Sequence, residues 1–191
     1  MNKEALILVD VQKDFWQKGA PLYVNDAESI IPVINQLMER VKSNAWLVIA
    51  SKDWHPAKHS SFSIWPVHCV ENTRWAEYMD WLDVKNIDRL VLKWFNVEED
   101  SYSAFGWYEF RDGRPLDDLN DILKDEQVNE LTVVWLATDY CVKATVLDAL
   151  QKFNYKIVRL VLAWARAVNI NPEDEKNAIE EMRHAGAIIV E

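Results

Sequence analysis

The chain has 191 residues, enough for one domain with a substantial core, and half of them are hydrophobic. Its net charge of −10 and pI near 4.9, with no basic cluster, argue against nucleic acid or a membrane surface as partner. It has no apolar run of membrane-spanning length, no signal region at its start, and only two cysteines, Cys69 and Cys141, so the cytoplasm is the expected location.

In chain order, Leu6–Val9 reads as a short buried strand ended by Asp10. A loop follows to Tyr23, containing Phe15. Asn25 or Asp26 then caps a helix whose apolar face is Ile30, Ile31, Val33, Ile34, Leu37, Met38 and Val41. Trp46–Ala50 is the second strand, and Trp75–Met79 a short helix. Arg89–Leu92 is the third strand, with Lys93 directly after it. Asn96–Phe110 looks irregular, and Pro115 starts a helix through Leu119, Ile122 and Leu123. Leu131–Leu136 is the fourth strand, followed by a helix over Tyr140–Phe153 that opens close to Cys141. Lys156–Leu162 is the fifth strand, Asn171-Pro172-Glu173-Asp174 starts a helix ended by Gly186, and Ala187–Val190 is the sixth strand. Strands alternating with helices predict a single α/β domain over 1–191. Its expected form is a three-layer, Rossmann-like α/β/α sandwich on a mostly parallel six-stranded sheet.

Asp10, Lys93 and the Cys141 turn each follow a different strand, so they meet at the carboxyl edge of the sheet, where open α/β folds bind ligands. Alone, each has a plainer reading: a turn residue, a solvated lysine, a small buried thiol. Together they make a nucleophile site, in which Lys93 favours the thiolate and Asp10 accepts its proton. Three of the four histidines, His55, His59 and His68, lie close behind Asp53. Asp53 and His55 alternate in extended backbone and His68 sits on a loop that can fold back, a donor set suited to Zn²⁺, Fe²⁺ or Mn²⁺. His59 is the weaker fourth candidate. His184 falls near a helix end, where it complements the dipole.

Four motifs in combination carry a family resemblance over the whole chain. They are Leu8-Val9-Asp10-Val11-Gln12-Lys13-Asp14-Phe15; Asp53-Trp54-His55-Pro56 with Trp65-Pro66-Val67-His68-Cys69-Val70; Lys93 ahead of Asp100-Ser101-Tyr102-Ser103-Ala104-Phe105; and Leu136-Ala137-Thr138-Asp139-Tyr140-Cys141-Val142. The chain resembles the isochorismatase-like cysteine hydrolases, and within them the nicotinamidases. The resemblance implies Asp10, Lys93 and Cys141 as catalytic residues, Asp53, His55 and His68 as ligands of one divalent metal ion, and zinc as that ion, with iron or manganese as alternatives. It also implies that Phe15, Trp65 and Tyr102 line a pyridine pocket. The N–H groups of Ala137 and Cys141 would form an oxyanion hole, beside a strained or cis peptide just before Thr138. The implied reaction converts nicotinamide to nicotinate and ammonia through a Cys141 thioester, with Asp10 moving the protons, as a step in NAD salvage. The implied partner is a small molecule alone, and monomer or homo-oligomer stays open. Rival readings are a sister amidohydrolase acting on N-carbamoyl compounds or ureidoacrylate, and a non-catalytic binding protein on the same fold.

One compositional feature fits none of this. The chain has 10 Trp and only 4 Gly, against ordinary usage of roughly 7% Gly. Trp46, Trp75, Trp81, Trp94, Trp107, Trp135 and Trp164 stand where the family carries glycine or another small residue, whereas Trp54 and Trp65 fit it. Some of these tryptophans are expected to be glycines in the natural protein, misread from a reassigned stop codon.

Overall fold

A computed structural model of the chain describes residues 3–93, 101–111 and 114–191. Glu4–Val9 (β1) lies inside an eight-stranded sheet, between Leu47–Asp53 (β2) and Glu130–Leu136 (β6). Arg89–Lys93 (β3), Tyr108–Arg111 (β4) and Arg114–Asp118 (β5) extend it beyond β2, while Ile157–Arg166 (β7) and Ile188–Val190 (β8) extend it beyond β6. β1, β2, β3, β6, β7 and β8 pair in parallel, and β4 and β5 are antiparallel.

The expected six strands are present, and the count is corrected by the hairpin β4–β5. Its outer strand β5 carries no apolar alternation, and Arg114 to Asp117 are exposed at the sheet edge. The helix expected from Pro115 starts instead at Leu119 (α3, Leu119–Asp125), where the Asp118 carboxylate caps the Asp121 N–H at 2.9 Å. The loop before Tyr23 contains a one-turn helix, Lys13–Trp16 (α1), and the expected helix at Trp75 is a 3₁₀ turn over Arg74–Ala76.

Alternation along the strands sends side chains to two cores. Ala5, Ile7 and Val9 face α3 together with Lys143–Gln151 (α4) and Asp174–His184 (α5). Leu6 and Leu8 face Ile31–Ser43 (α2), which buries Ile31, Ile34, Leu37, Met38 and Val41, each worth about 1.5–3 kcal/mol. The result is the expected three-layer sandwich. The chain runs from β1 to β2 and β3 on one side and later returns to β6 on the other. The cleft between the ends of β1 and β6 is therefore the switch point, where ligands bind in such sheets.

Candidate active site

Four neighbouring strand ends build the site. β1 delivers Asp10, β2 Asp53 and β3 Lys93, with Asp53 and Lys93 directly paired in register. β6 leads into a π-helical turn, Thr138–Val142, which holds Cys141. The nucleophile candidate thus sits within this turn, two residues before Lys143 opens α4.

Lys93 is fully buried, which removes its solvated-surface reading. Its Nζ lies 2.6 Å from Asp10 Oδ2, 2.9 Å from Asp53 Oδ1 and 3.4 Å from Cys141 Sγ, and it donates to the Tyr102 carbonyl at 3.1 Å. Burial alone would favour neutral lysine, but the two carboxylates and the thiol outweigh it and hold Lys93 charged. Burial pushes the Cys141 thiol well up and Lys93 only partly offsets it, so the resting group is a neutral thiol. Lys93 pulls the thiol toward the thiolate as expected, but burial outweighs that pull. Burial also raises Asp10, against the pull of Lys93, to about 6. Asp10 is therefore ionised at neutral pH and placed to take a proton from a thiol that holds it more tightly until a substrate arrives. Ser51 Oγ donates to Asp10 Oδ1 at 2.6 Å and stabilises the carboxylate.

Asp53 joins this set to the histidines. Its Oδ2 lies 3.9 Å from His55 Nε2 and 3.8 Å from His68 Nε2, and those two nitrogens are 3.1 Å apart. Two nitrogens sharing one tetrahedral Zn²⁺ at about 2.0–2.1 Å stand roughly 3.3 Å apart, so the donor set fits such an ion. Burial lowers His55 to about 3, with Asp53 opposing, and leaves the neutral imidazole that a metal requires. His68 Nδ1 faces the Pro66 carbonyl at 2.8 Å, which leaves Nε2 to bind. Burial would raise Asp53, yet Lys93 and the imidazoles hold it near 2. His59 is not in this three-residue cluster, and its Nδ1 engages Ser61 Oγ at 2.8 Å.

The fold-back of the His68 loop has a backbone cause. His55 N–H donates to the Cys69 carbonyl at 3.0 Å, and Glu71 N–H donates to the His55 carbonyl at 2.8 Å. Two side chains that sequence reasoning passed over hold this arrangement. Asp14, fully buried, accepts the Cys69 N–H at 2.5 Å beside His68. Gln12, also fully buried, grips Asp53 from both sides: its Oε1 accepts the Asp53 N–H at 2.7 Å, while its Nε2 donates to the Asp53 carbonyl at 2.7 Å and the Ala76 carbonyl at 3.0 Å. The available signal was their position: polar residues directly after a buried strand, in a segment that must be buried with it. Gln12→Glu turns the two donor contacts into carboxylate–carbonyl repulsion, and the expected result is a 10–100-fold loss of zinc affinity in competition with a chelating dye. Unchanged affinity would show that Asp53 holds its place without Gln12.

One cavity of about 160 Å³ opens onto Asp53, His55, His68 and Cys141. Phe15, Trp65 and Tyr102 line it, and Trp65 Nε1 donates to Tyr102 Oη at 3.0 Å. Leu22, Val24, Tyr140 and Val168 are also among its walls. Val168 is drawn in because the Asp139 carboxylate accepts the Val168 and Asn169 N–H groups at 2.9 and 2.8 Å. Ala137 also lines the cavity, and its carbonyl accepts the N–H groups of Tyr140 and Val142, closing the turn around Cys141. The cis peptide is Leu136–Ala137, one bond earlier than expected.

The strand entering this turn is irregular at Trp135. Its φ is +99°, it is 1% exposed, and its indole N–H has no hydrogen-bond partner. A bulky residue in this region is an outlier, costing about 1–3 kcal/mol. Of the other expected misfits, Trp107 is buried, Trp46, Trp75 and Trp164 are half-buried, Trp81 is exposed, and Trp94 lies outside the described residues.

Against known proteins, the model of the family described as "Isochorismatase domain" matches residues 4–191. The chain belongs to the isochorismatase family. Within that family it is 42% identical to the nicotinamidase of Escherichia coli, over 99% of this chain and 95% of that one. Among solved isochorismatase-fold structures, the pyrazinamidase of Pyrococcus horikoshii in complex with zinc superposes with a TM-score of 0.85 at 36% identity, covering 99% of both chains. The yeast nicotinamidase bound to the inhibitor nicotinaldehyde gives 0.84 at 27% identity, covering 98% of this chain and 99% of that one.

Proposed function

We propose that this member of the isochorismatase family is a single-domain nicotinamidase, which hydrolyses nicotinamide, and pyrazinamide, to the acid and ammonia. One observation carries the reading: Cys141, backed by the buried Lys93–Asp10 pair, and the Asp53–His55–His68 donor set open onto the same ring-lined cavity. The nicotinamidase relatives support it. Asp53, His55 and His68 hold one divalent ion, with zinc the favoured choice. Bound there, it supplies a Lewis-acid centre for the ring nitrogen of a pyridine or pyrazine.

The residues then divide the work. Phe15, Trp65 and Tyr102 sandwich the flat ring and exclude water. Asp10 removes the Cys141 proton as sulfur attacks the carboxamide carbon, and the N–H groups of Ala137 and Cys141 receive the developing oxyanion. Asp10 passes that proton to nitrogen, the C–N bond breaks, and ammonia leaves a Cys141 thioester. Asp10 next takes a proton from water, whose oxygen displaces sulfur, and the acid and the thiol are restored. Lys93 stays charged throughout and steadies both Asp10 and the sulfur. The reaction suits a cytoplasmic salvage step that returns nicotinamide to NAD synthesis; no helix among the described residues is long and apolar enough to cross a membrane.

Purified, zinc-loaded protein is expected to release ammonia and nicotinate in equal amounts from nicotinamide, and to lose that activity on chelation. Hydrolysis of an N-carbamoyl compound or ureidoacrylate instead would assign the sister chemistry. No turnover of any amide would leave a binding protein.

The acid limb of kcat/KM should follow Asp10. The carboxyl must be ionised to accept the thiol proton, so activity should fall about tenfold per pH unit below about 6. Ser51→Ala removes a hydrogen bond that favours the carboxylate, so it should move this limb to higher pH. A limb unmoved by this change would remove Asp10 from the proton transfer.

A further inference from the structure

We infer that residue 135 is glycine in the protein as its own cell makes it, and that the tryptophan written there is a misread codon. Three independent observations meet at this position. The first is compositional: 10 Trp against 4 Gly, a surplus and a deficit of comparable size. A codon that is a stop in the common code is read as tryptophan by some cells and as glycine by others, so one wrong reading exchanges these two residue types and no others.

The second is conformational. Trp135 has φ +99°, where a side chain is disfavoured and glycine is at ease. Of the six suspected tryptophans that lie among the described residues, it alone has positive φ. The third is packing. Leu131 and Val133 face one core and Val134 the other, so simple alternation would return Trp135 to the first. Instead Val134, Trp135 and Leu136 all fall in the second core, and the pairing with β7 shifts register between Val133 and Trp135. The indole is fully buried there with its N–H unpartnered, although buried indoles ordinarily find an acceptor.

The position matters because it lies two residues before Ala137 and leads into the Cys141 turn. A backbone without Cβ can take the left-handed bend with no side chain forced into the α2-side core, which leaves the turn free to set its own geometry. Residue 135 is thus a positioning residue for the turn, and glycine is the residue that its backbone requires.

The direct test is mass spectrometry of a tryptic digest of the protein isolated from its source. The peptide running from Asp125 to Lys143 is expected to be lighter by the difference between tryptophan and glycine, while the peptide containing Trp54 and the peptide containing Trp65 keep their written masses. A 125–143 peptide with its written mass overturns the inference, whatever the substrate. A second arm uses the chain as written and its Trp135→Gly variant, both zinc-loaded. Replacing an ordinary core tryptophan by glycine lowers stability; here the urea midpoint and kcat are expected to rise, with KM changed less than kcat. A lower midpoint together with a lower kcat would overturn it as well.

Discussion

Cys141→Ala is expected to lower kcat for nicotinamide about 10⁴-fold or more while leaving the thermal unfolding midpoint nearly unchanged. The size follows from the chemistry. Without sulfur there is no acyl-enzyme, and Asp10, the cavity and the Asp53–His55–His68 set are left to orient a water against an unactivated amide. The fold is spared because the thiol is small and alanine fills most of its volume. Acid-quenched wild-type protein should carry a nicotinoyl group on Cys141, found by peptide mass, and the variant none. A variant with more than a tenth of wild-type kcat would sink the thioester route. Cys69 is the internal control: it is fully buried, burial holds its thiol protonated, and no acyl group should appear on it.

Lys93→Met should have the largest combined effect on activity and stability. Methionine matches the volume but removes the charge that sits between Asp10 and Asp53, both nearly inaccessible to water. Breaking such a buried pair costs about 3–5 kcal/mol, because the partner charge is left uncompensated. With the cation gone, Asp10 loses its main stabilising charge and should be protonated at neutral pH, so proton acceptance fails too. The double variant Lys93→Met, Asp10→Asn separates the two effects. It should regain part of the lost stability in urea denaturation and none of the activity. Equal stability of Lys93→Met and wild type would contradict the buried ion-pair account.

The α/β class and all six parallel strands were legible because each is a run of mainly apolar residues, buried on both faces in β1, β2 and β6, and such runs are dictated locally. The hairpin β4–β5 was not. Arg114 to Asp117 face solvent at the sheet edge, so no burial requirement marks β5, and only pairing with β4, itself paired to β3, makes it a strand. For the same reason Pro115 looked like a helix start until pairing claimed it.

Within the site, residue types and their places after strands sufficed to nominate Asp10, Lys93 and Cys141, and Asp53, His55 and His68. Sequence also exposed the tryptophan surplus. What it could not supply depends on depth and on contacts between distant segments. Whether Lys93 is solvated or sealed decides if it is a surface charge or the clamp on two carboxylates. Whether the thiol rests protonated depends on burial outweighing that clamp. Gln12 and Asp14 acquire meaning only when Asp53 and Cys69 come to rest against them. Trp135 is set apart from the other surplus tryptophans of the described residues by its positive φ, which only the folded backbone fixes. Local pattern determines which segments form elements, since apolar spacing acts over a few residues. Tertiary structure decides charge state and positioning, since desolvation and hydrogen bonding act between residues that the chain keeps far apart.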